Sequence, residues 1–137
     1  MRSRQSGFTM IELIVVIVIL GVLAATALPK FINMRGDAEQ AAVDGIAGAA
    51  GAAMNLNYSG CALTNNVVTT DKCVQVSSCA NVGSLLQGGL SSAYSAAAAA
   101  SSPDLTSTNG ATANCAISKT VGTATYSSGF IGVAAGN

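Results

Sequence analysis

The chain has 137 residues and a mass of 13.5 kDa, enough for one domain, with half its residues apolar, 9% charged and 4% aromatic. Six basic residues balance six acidic ones and histidine is absent, so there is no net field to gather nucleic acid and no imidazole to act as base or metal ligand. Imidazole-based catalysis and a disordered polyampholyte are both excluded. The first element is apolar: Leu13 to Leu28 carries no charge, and Phe8 to Leu28 carries one, Glu12. A run of roughly 20 apolar residues crosses a bilayer core as a helix. Arg2 and Arg4 ahead of it place the N-terminus in the cytoplasm and everything after Pro29 on the far side.

Three readings compete for this block. A cleaved secretory signal needs small residues after its apolar core, which Ala24, Ala25 and Ala27 supply. An ordinary membrane anchor needs only the apolar length. Both leave Glu12 unexplained, although a carboxylate inside a spanning helix costs on the order of 2.5–3.5 kcal/mol and marks function by default. The third reading accounts for it. The string Gly7-Phe8-Thr9-Met10-Ile11-Glu12-Leu13, behind a short basic leader and ahead of the apolar tract, resembles the processing signal of type IV prepilins.

The resemblance implies that a prepilin peptidase cuts between Gly7 and Phe8 and N-methylates the new Phe8 amine, so the apolar helix stays in the mature protein. Gly7 lacks a Cβ and lets the backbone approach a protease closely. Cleavage creates a cation at Phe8, and Glu12, one helical turn on, offers the opposite charge. In the family this glutamate is held to meet the Phe8 amine of a neighbouring subunit, and a low dielectric makes such a pair strong and an unpaired Glu12 costly. A Glu12 that merely snorkels to the headgroups is the plainer alternative.

The helix is expected to continue to about Tyr58, because Val43, Ile46, Ala50 and Met54 recur at spacings of 3, 4 and 4 among many alanines. The remaining residues cannot cover a helix of that length, so its first half belongs to a bilayer or to other copies. Gly21 and Pro29 are expected to interrupt it, and in related pili the stretch between them loses helicity inside the filament. Gly45, Gly48 and Gly51 read as packing positions, not as a phosphate loop, since no strand precedes them.

From Gly45 onward only Asp71, Lys72, Asp104 and Lys119 are charged, and Ser, Thr, Asn and Gly dominate. That composition predicts short strands and turns, with strands at Cys115–Ser118, Thr123–Ser127 and Phe130–Val133 and turns at Asn109-Gly110 and Val121-Gly122. Propensity alone makes Ala96–Ala100 helical. However, Leu85-Leu86-Gln87-Gly88-Gly89-Leu90 followed by Tyr94 resembles mannose-sensitive haemagglutinin-type pilins, which implies that the segment after Tyr94 enters the sheet as its first strand, and a strand is the expectation here.

Cys61, Cys73, Cys79 and Cys115 all fall in this exported part. Two disulfides with three possible pairings are expected in an oxidising compartment, and the spacings do not fit a structural zinc site. The preferred pairing is Cys61–Cys73 and Cys79–Cys115, worth about 3 and 4 kcal/mol by chain entropy. Asn57-Tyr58-Ser59 matches a glycosylation acceptor that is read as a frayed helix end. No serine has an evident basic partner, and no cofactor is expected.

The expected fold is α+β, a long N-terminal helix on a small antiparallel sheet. The expected divisions are a cleaved leader (1–7), a transmembrane and assembly half of the helix (8–29), an amphipathic half (30–58) and a disulfide-stapled loop and sheet (59–137). The expected function is that of a structural, non-enzymatic subunit of a type IV pilus. It would sit first in the inner membrane as a single-pass precursor and then in an extracellular surface fibre, for adhesion, motility or DNA uptake. Its expected partners are itself in a helical homopolymer, prepilin peptidase, the inner-membrane assembly platform and minor pilins. A minor pilin or a type II secretion pseudopilin is the alternative. Against a major pseudopilin stands the lack of any carboxylate after Asp104 for the calcium loop usual in that family.

Overall fold

A computed structural model describes residues 7–137, so the leader residues Arg2 and Arg4 lie outside the described residues. The chain divides into two units, one ending at Ala38 and the other spanning Glu39–Asn137. The elements are a helix α1 (Met10–Leu63), a short 3₁₀ helix (Cys79–Ser84), and strands β1 (Ser95–Ala98), β2 (Thr112–Val121) and β3 (Ala124–Val133). The α+β architecture read from the sequence is present.

The backbone is helical through both Gly21 and Pro29, so the helix ends at neither. An interior proline forfeits one N–H and crowds one carbonyl at about 3 kcal/mol, which a long helix absorbs without ending. Three residues earlier, the Thr26 hydroxyl turns back on its own helix and donates to the Leu23 carbonyl at 3.0 Å.

In the second unit, α1 buries Val43, Ala47, Ala50, Met54, Asn57 and Cys61, a strict alternation of four- and three-residue steps. Ala47 thus takes the central place expected for Ile46, which lies half-buried at the rim. The same periodicity explains why the helix outlasts Tyr58 and ends at Leu63, since Cys61 continues the buried face. Asn57 is not frayed. Its amide nitrogen donates to the Val74 carbonyl at 2.8 Å and its oxygen accepts from the Val74 N–H at 2.8 Å. The side chain thereby serves both polar groups of a buried loop residue, as a paired strand would. At Gly60 a Cβ would collide with the Lys72 carbonyl oxygen, so glycine is what lets the loop return against the helix.

The three strands form one antiparallel sheet in the order β1-β2-β3. β1 follows Tyr94 directly, with Ser95 opposite Ser118 and Ala98 opposite Cys115. β2 and β3 pair without a bulge from Thr112↔Val133 to Val121↔Ala124, and Gly122 turns the hairpin at φ +63°. The two short strands expected at 123–127 and 130–133 are therefore one. Ser128-Gly129 reads as a turn in sequence, but Gly129 sits mid-strand opposite Ala116. Cys115 and Ile117 from β2 and Phe130 from β3 join the core built on α1, where Gly51 lies beside Phe130. Disulfides join Cys61 to Cys73 and Cys79 to Cys115, with Cα separations of 4.5 and 5.6 Å.

One ion pair fastens the sheet to the helix. Lys119 Nζ on β2 lies 2.6 Å from Glu39 Oε2 on α1, each side chain 19% exposed, and 5.1 Å from the centre of the Tyr94 ring. The hydrogen bond to Glu39 raises the Lys119 ammonium above its ordinary range, against a smaller opposing effect of desolvation.

Two outcomes are expected from detergent-solubilised full-length protein. Alanine gains about 1 kcal/mol over glycine in a helix, so Gly48→Ala, which meets open space, raises the melting temperature. Gly60→Ala lowers it, because the collision with Lys72 costs more than that gain. The sign difference is read by circular dichroism. The second outcome concerns pH. A raised folded-state ammonium contributes stability that is complete below the unfolded lysine value of about 10.4 and is lost as pH rises through the folded value. Thermal melts should therefore fall on going above about pH 10, and Lys119→Met should flatten that fall.

Candidate assembly and processing site

The residues expected to carry function lie at the start of α1, within the first unit. Gly7, Phe8 and Thr9 precede the helix, and Phe8 is 82% exposed. A Cβ at Gly7 would meet nothing within 4 Å, so no packing within the described chain demands glycine there. Gly21 is equally open, whereas the four cysteines are engaged as described.

Glu12 does not extend freely. Its Oε2 accepts the Thr9 N–H at 2.8 Å and the Thr9 hydroxyl at 2.6 Å, while the Glu12 N–H donates to Thr9 Oγ1 at 3.3 Å. Thr9 is the residue before the first helical position, and Glu12 stands three residues on. This is a capping box, in which a hydroxyl and a carboxylate reciprocally satisfy helix-terminal N–H groups that have no partner in the turn before them. A negative charge is also favoured at the positive end of the helix dipole. Sequence reasoning had attached no role to Thr9, although the Thr-x-x-Glu spacing is itself the signal. Among the described residues, Glu12 Oε1 accepts no hydrogen bond. The carboxylate opens onto a shallow apolar recess formed with Phe8, Ile11, Val15 and Val16.

Beyond Glu12, Met10–Leu28 is a 19-residue apolar stretch of helix, and none of it is buried. It is long and apolar enough to cross a membrane. The bare helix, its single capped carboxylate and the glycine ahead of it form one arrangement. Residues 2–28 match the model of the prokaryotic N-terminal methylation motif. That motif therefore covers the leader side, the carboxylate and the apolar tract together.

The similarity to known proteins covers a minority of the chain. The chain is 52% identical over 46 residues to the type IV narrow pilus major component PilA5 of Thermus thermophilus, covering 34% of this chain and 40% of that protein. It is 47% identical over 39 residues to the type IV major pilin protein PilA of Myxococcus xanthus, covering 28% and 18%. It is also 42% identical over 55 residues to the type II secretion system core protein G of Pseudomonas aeruginosa, covering 40% and 39%. The chain thus spans no more than about two fifths of the length of these relatives. No solved structure matches it.

The cap makes its own test. With Thr9→Val, amide exchange at residues 10–13 of the full-length protein in micelles should quicken severalfold, while Thr9→Ser should leave it unchanged. Equal exchange in all three proteins would mean that the hydroxyl contributes nothing to the helix end.

Proposed function

We propose that this chain is the structural subunit of a type IV pilus, most closely a major pilin, polymerising through its N-terminal helix. The observation that carries the reading is the uncovered apolar helix with one carboxylate at its start. Such a helix needs a bilayer before assembly and neighbouring helices after it. The precursor sits in the inner membrane with a single pass. Prepilin peptidase removes the leader between Gly7 and Phe8 and methylates Phe8. The absence of any local packing demand at Gly7 supports an external one. The inner-membrane assembly platform then adds the subunit to a growing extracellular fibre, together with minor pilins. Its role is mechanical and adhesive, not catalytic.

Glu12 is the register device in this reading. Oε2 is occupied by Thr9 and Oε1 is not, so the carboxylate can accept the Phe8 amine of a neighbour without first releasing its own helix cap. The segment from Gly21 to Pro29, helical in this chain, is where helicity yields as helices pack in the fibre, since glycine and proline make it the weakest stretch.

A second reading is favoured by one observation, the similarity of 55 residues of this chain to type II secretion system core protein G. The chain is then a pseudopilin in a short periplasmic fibre. Fibres sheared from the cell surface and composed mainly of this protein decide for the pilus. Loss of secretion on deletion, with no surface fibre, decides for the pseudopilin.

The expected mature N-terminus is methylated Phe8, and an intact mass starting at Met1 or near residue 26 would refute processing at Gly7. Glu12→Val should leave cleavage and membrane insertion intact, since it removes a carboxylate from an apolar span. Fibre yield should drop by about tenfold or more, because the incoming amine is left without a partner in a low-dielectric core. Immunoblots of processed subunit and electron micrographs of the same cells separate the two steps. Normal fibre yield would overturn the assembly role, and failed processing would assign Glu12 to peptidase recognition.

A further inference from the structure

β3 is the last strand of the sheet, and among the described residues no strand pairs along its outer edge over its ten residues. Residues of an antiparallel strand point both backbone polar groups to the same side, alternating along the chain. Two observations fix which side is which. Ala134 exchanges hydrogen bonds with Gly110 and Ala111 on the β2 side, and Ala135 exchanges them with Val76 on the other. Ser127, in phase with Ala135, offers its carbonyl outward, where Gln40 Nε2 donates to it at 3.1 Å. Thr125, Ser127, Gly129 and Ile131 therefore present N–H and C=O away from β2. Apart from the bond to Gln40, no hydrogen bond from a described residue reaches them.

Edges of this kind are normally protected by charge, proline or a bulge. β3 has none of these. No charged residue follows Lys119, the only prolines are Pro29 and Pro103, and the β2–β3 register is unbroken. The edge is nevertheless competent for pairing, because the Val76–Ala135 bridge already starts a fourth strand that leaves after a single residue.

We propose that the vacant edge pairs antiparallel with the same edge of a second copy, joining two sheets across a two-fold axis. A neutral edge neither repels its own copy nor selects an oppositely charged peptide, and the seven residues from Thr125 to Ile131 are self-complementary in outline. Outward-pointing residues must oppose one another, so the symmetric register sets Thr125 against Ile131 of the second copy and Ser127 against Gly129. The small residues at the centre allow close approach, and Ile131, 51% exposed, covers Thr125. Gln40, held by Asp44 at 2.8 Å, is the side chain that must give way. The inference does not depend on the chain forming a fibre.

The test uses full-length protein in detergent, with micelles in excess over chains. Between dilute and concentrated samples, the amides of Thr125, Ser127, Gly129 and Ile131 should slow by about tenfold, while Tyr126 and Ser128, bonded to β2, should not change. Gln40→Ala should shift the effect to lower concentration. Ser127→Pro removes an outward N–H without touching the β2 ladder and should abolish it, and Thr125→Lys should do the same should the proline variant melt early. Mixing Thr125→Cys and Ile131→Cys chains should give mixed disulfide dimers in preference to either homodimer. Concentration-independent exchange, or cross-linking without that preference, would overturn self-pairing.

Discussion

Thirteen large apolar side chains between Met10 and Leu28 have nothing in their own unit to cover them, and that single deficit governs what this protein can be. At about 1.5–3 kcal/mol for each side chain removed from water, the helix forgoes on the order of 20–40 kcal/mol while exposed. A small domain is stable by only about 5–15 kcal/mol. The demand of the helix exceeds anything the rest of the chain could offer by refolding around it. A bilayer or a set of identical helices meets it fully, and both are homogeneous apolar surroundings. Against that background, one carboxylate is conspicuous, and the Thr9 cap shows how it is held while the helix is alone.

The second unit meets the opposite difficulty. Its core is built from small side chains, with Val43, Ala47, Ala50 and Met54 on the helix facing Cys115, Ile117 and Phe130 on the sheet. Such a core buries little area per residue. Covalent and polar ties make up the difference. The disulfides close the loop after α1 and bind the 3₁₀ helix to β2. Asn57 supplies the hydrogen bonds that a neighbouring strand would have given Val74. Gly60 permits that loop to lie against the helix at all. The Lys119–Glu39 pair then fixes the free end of the β2–β3 hairpin to the start of this unit's helix.

What was legible in the sequence follows from the range over which each signal acts. The apolar tract, the processing string and the buried face of α1 are local patterns with strong periodicity. The strand after Tyr94 was not local: five alanines favour helix, and only the resemblance of the preceding segment pointed to a strand. Gly129 fell in the gap left between two expected strands because glycine has a low strand propensity, whereas it lies in one extended strand opposite Ala116. The helix end was placed at about Tyr58 because the periodicity followed stopped at Met54, yet Cys61 continues the buried face and Gly60 serves a contact with Lys72, twelve residues on. Glu39 and Lys119 lie 80 residues apart, and no pattern in a single sequence joins them. The Thr9–Glu12 cap is the instructive miss, because its spacing was in plain view but the carboxylate had already been assigned a role between subunits.

The chain thus leaves two kinds of group unsatisfied, and their magnitudes rank them. The helix lacks apolar cover worth tens of kcal/mol, and the outer edge of β3 lacks backbone partners at four positions, each worth about 0.5–1.5 kcal/mol net. The larger demand must set whether copies of this chain associate. The smaller, with two hydrogen bonds at each position, is comparable with the at least about 4 kcal/mol that fixing two chains costs, so by itself it joins copies weakly and only at high concentration. It gains weight wherever copies are concentrated, because weak contacts then act together. A neutral, unguarded edge is tolerable in a dilute subunit for the same reason: the pairing it offers at four positions is too weak to be populated at low concentration.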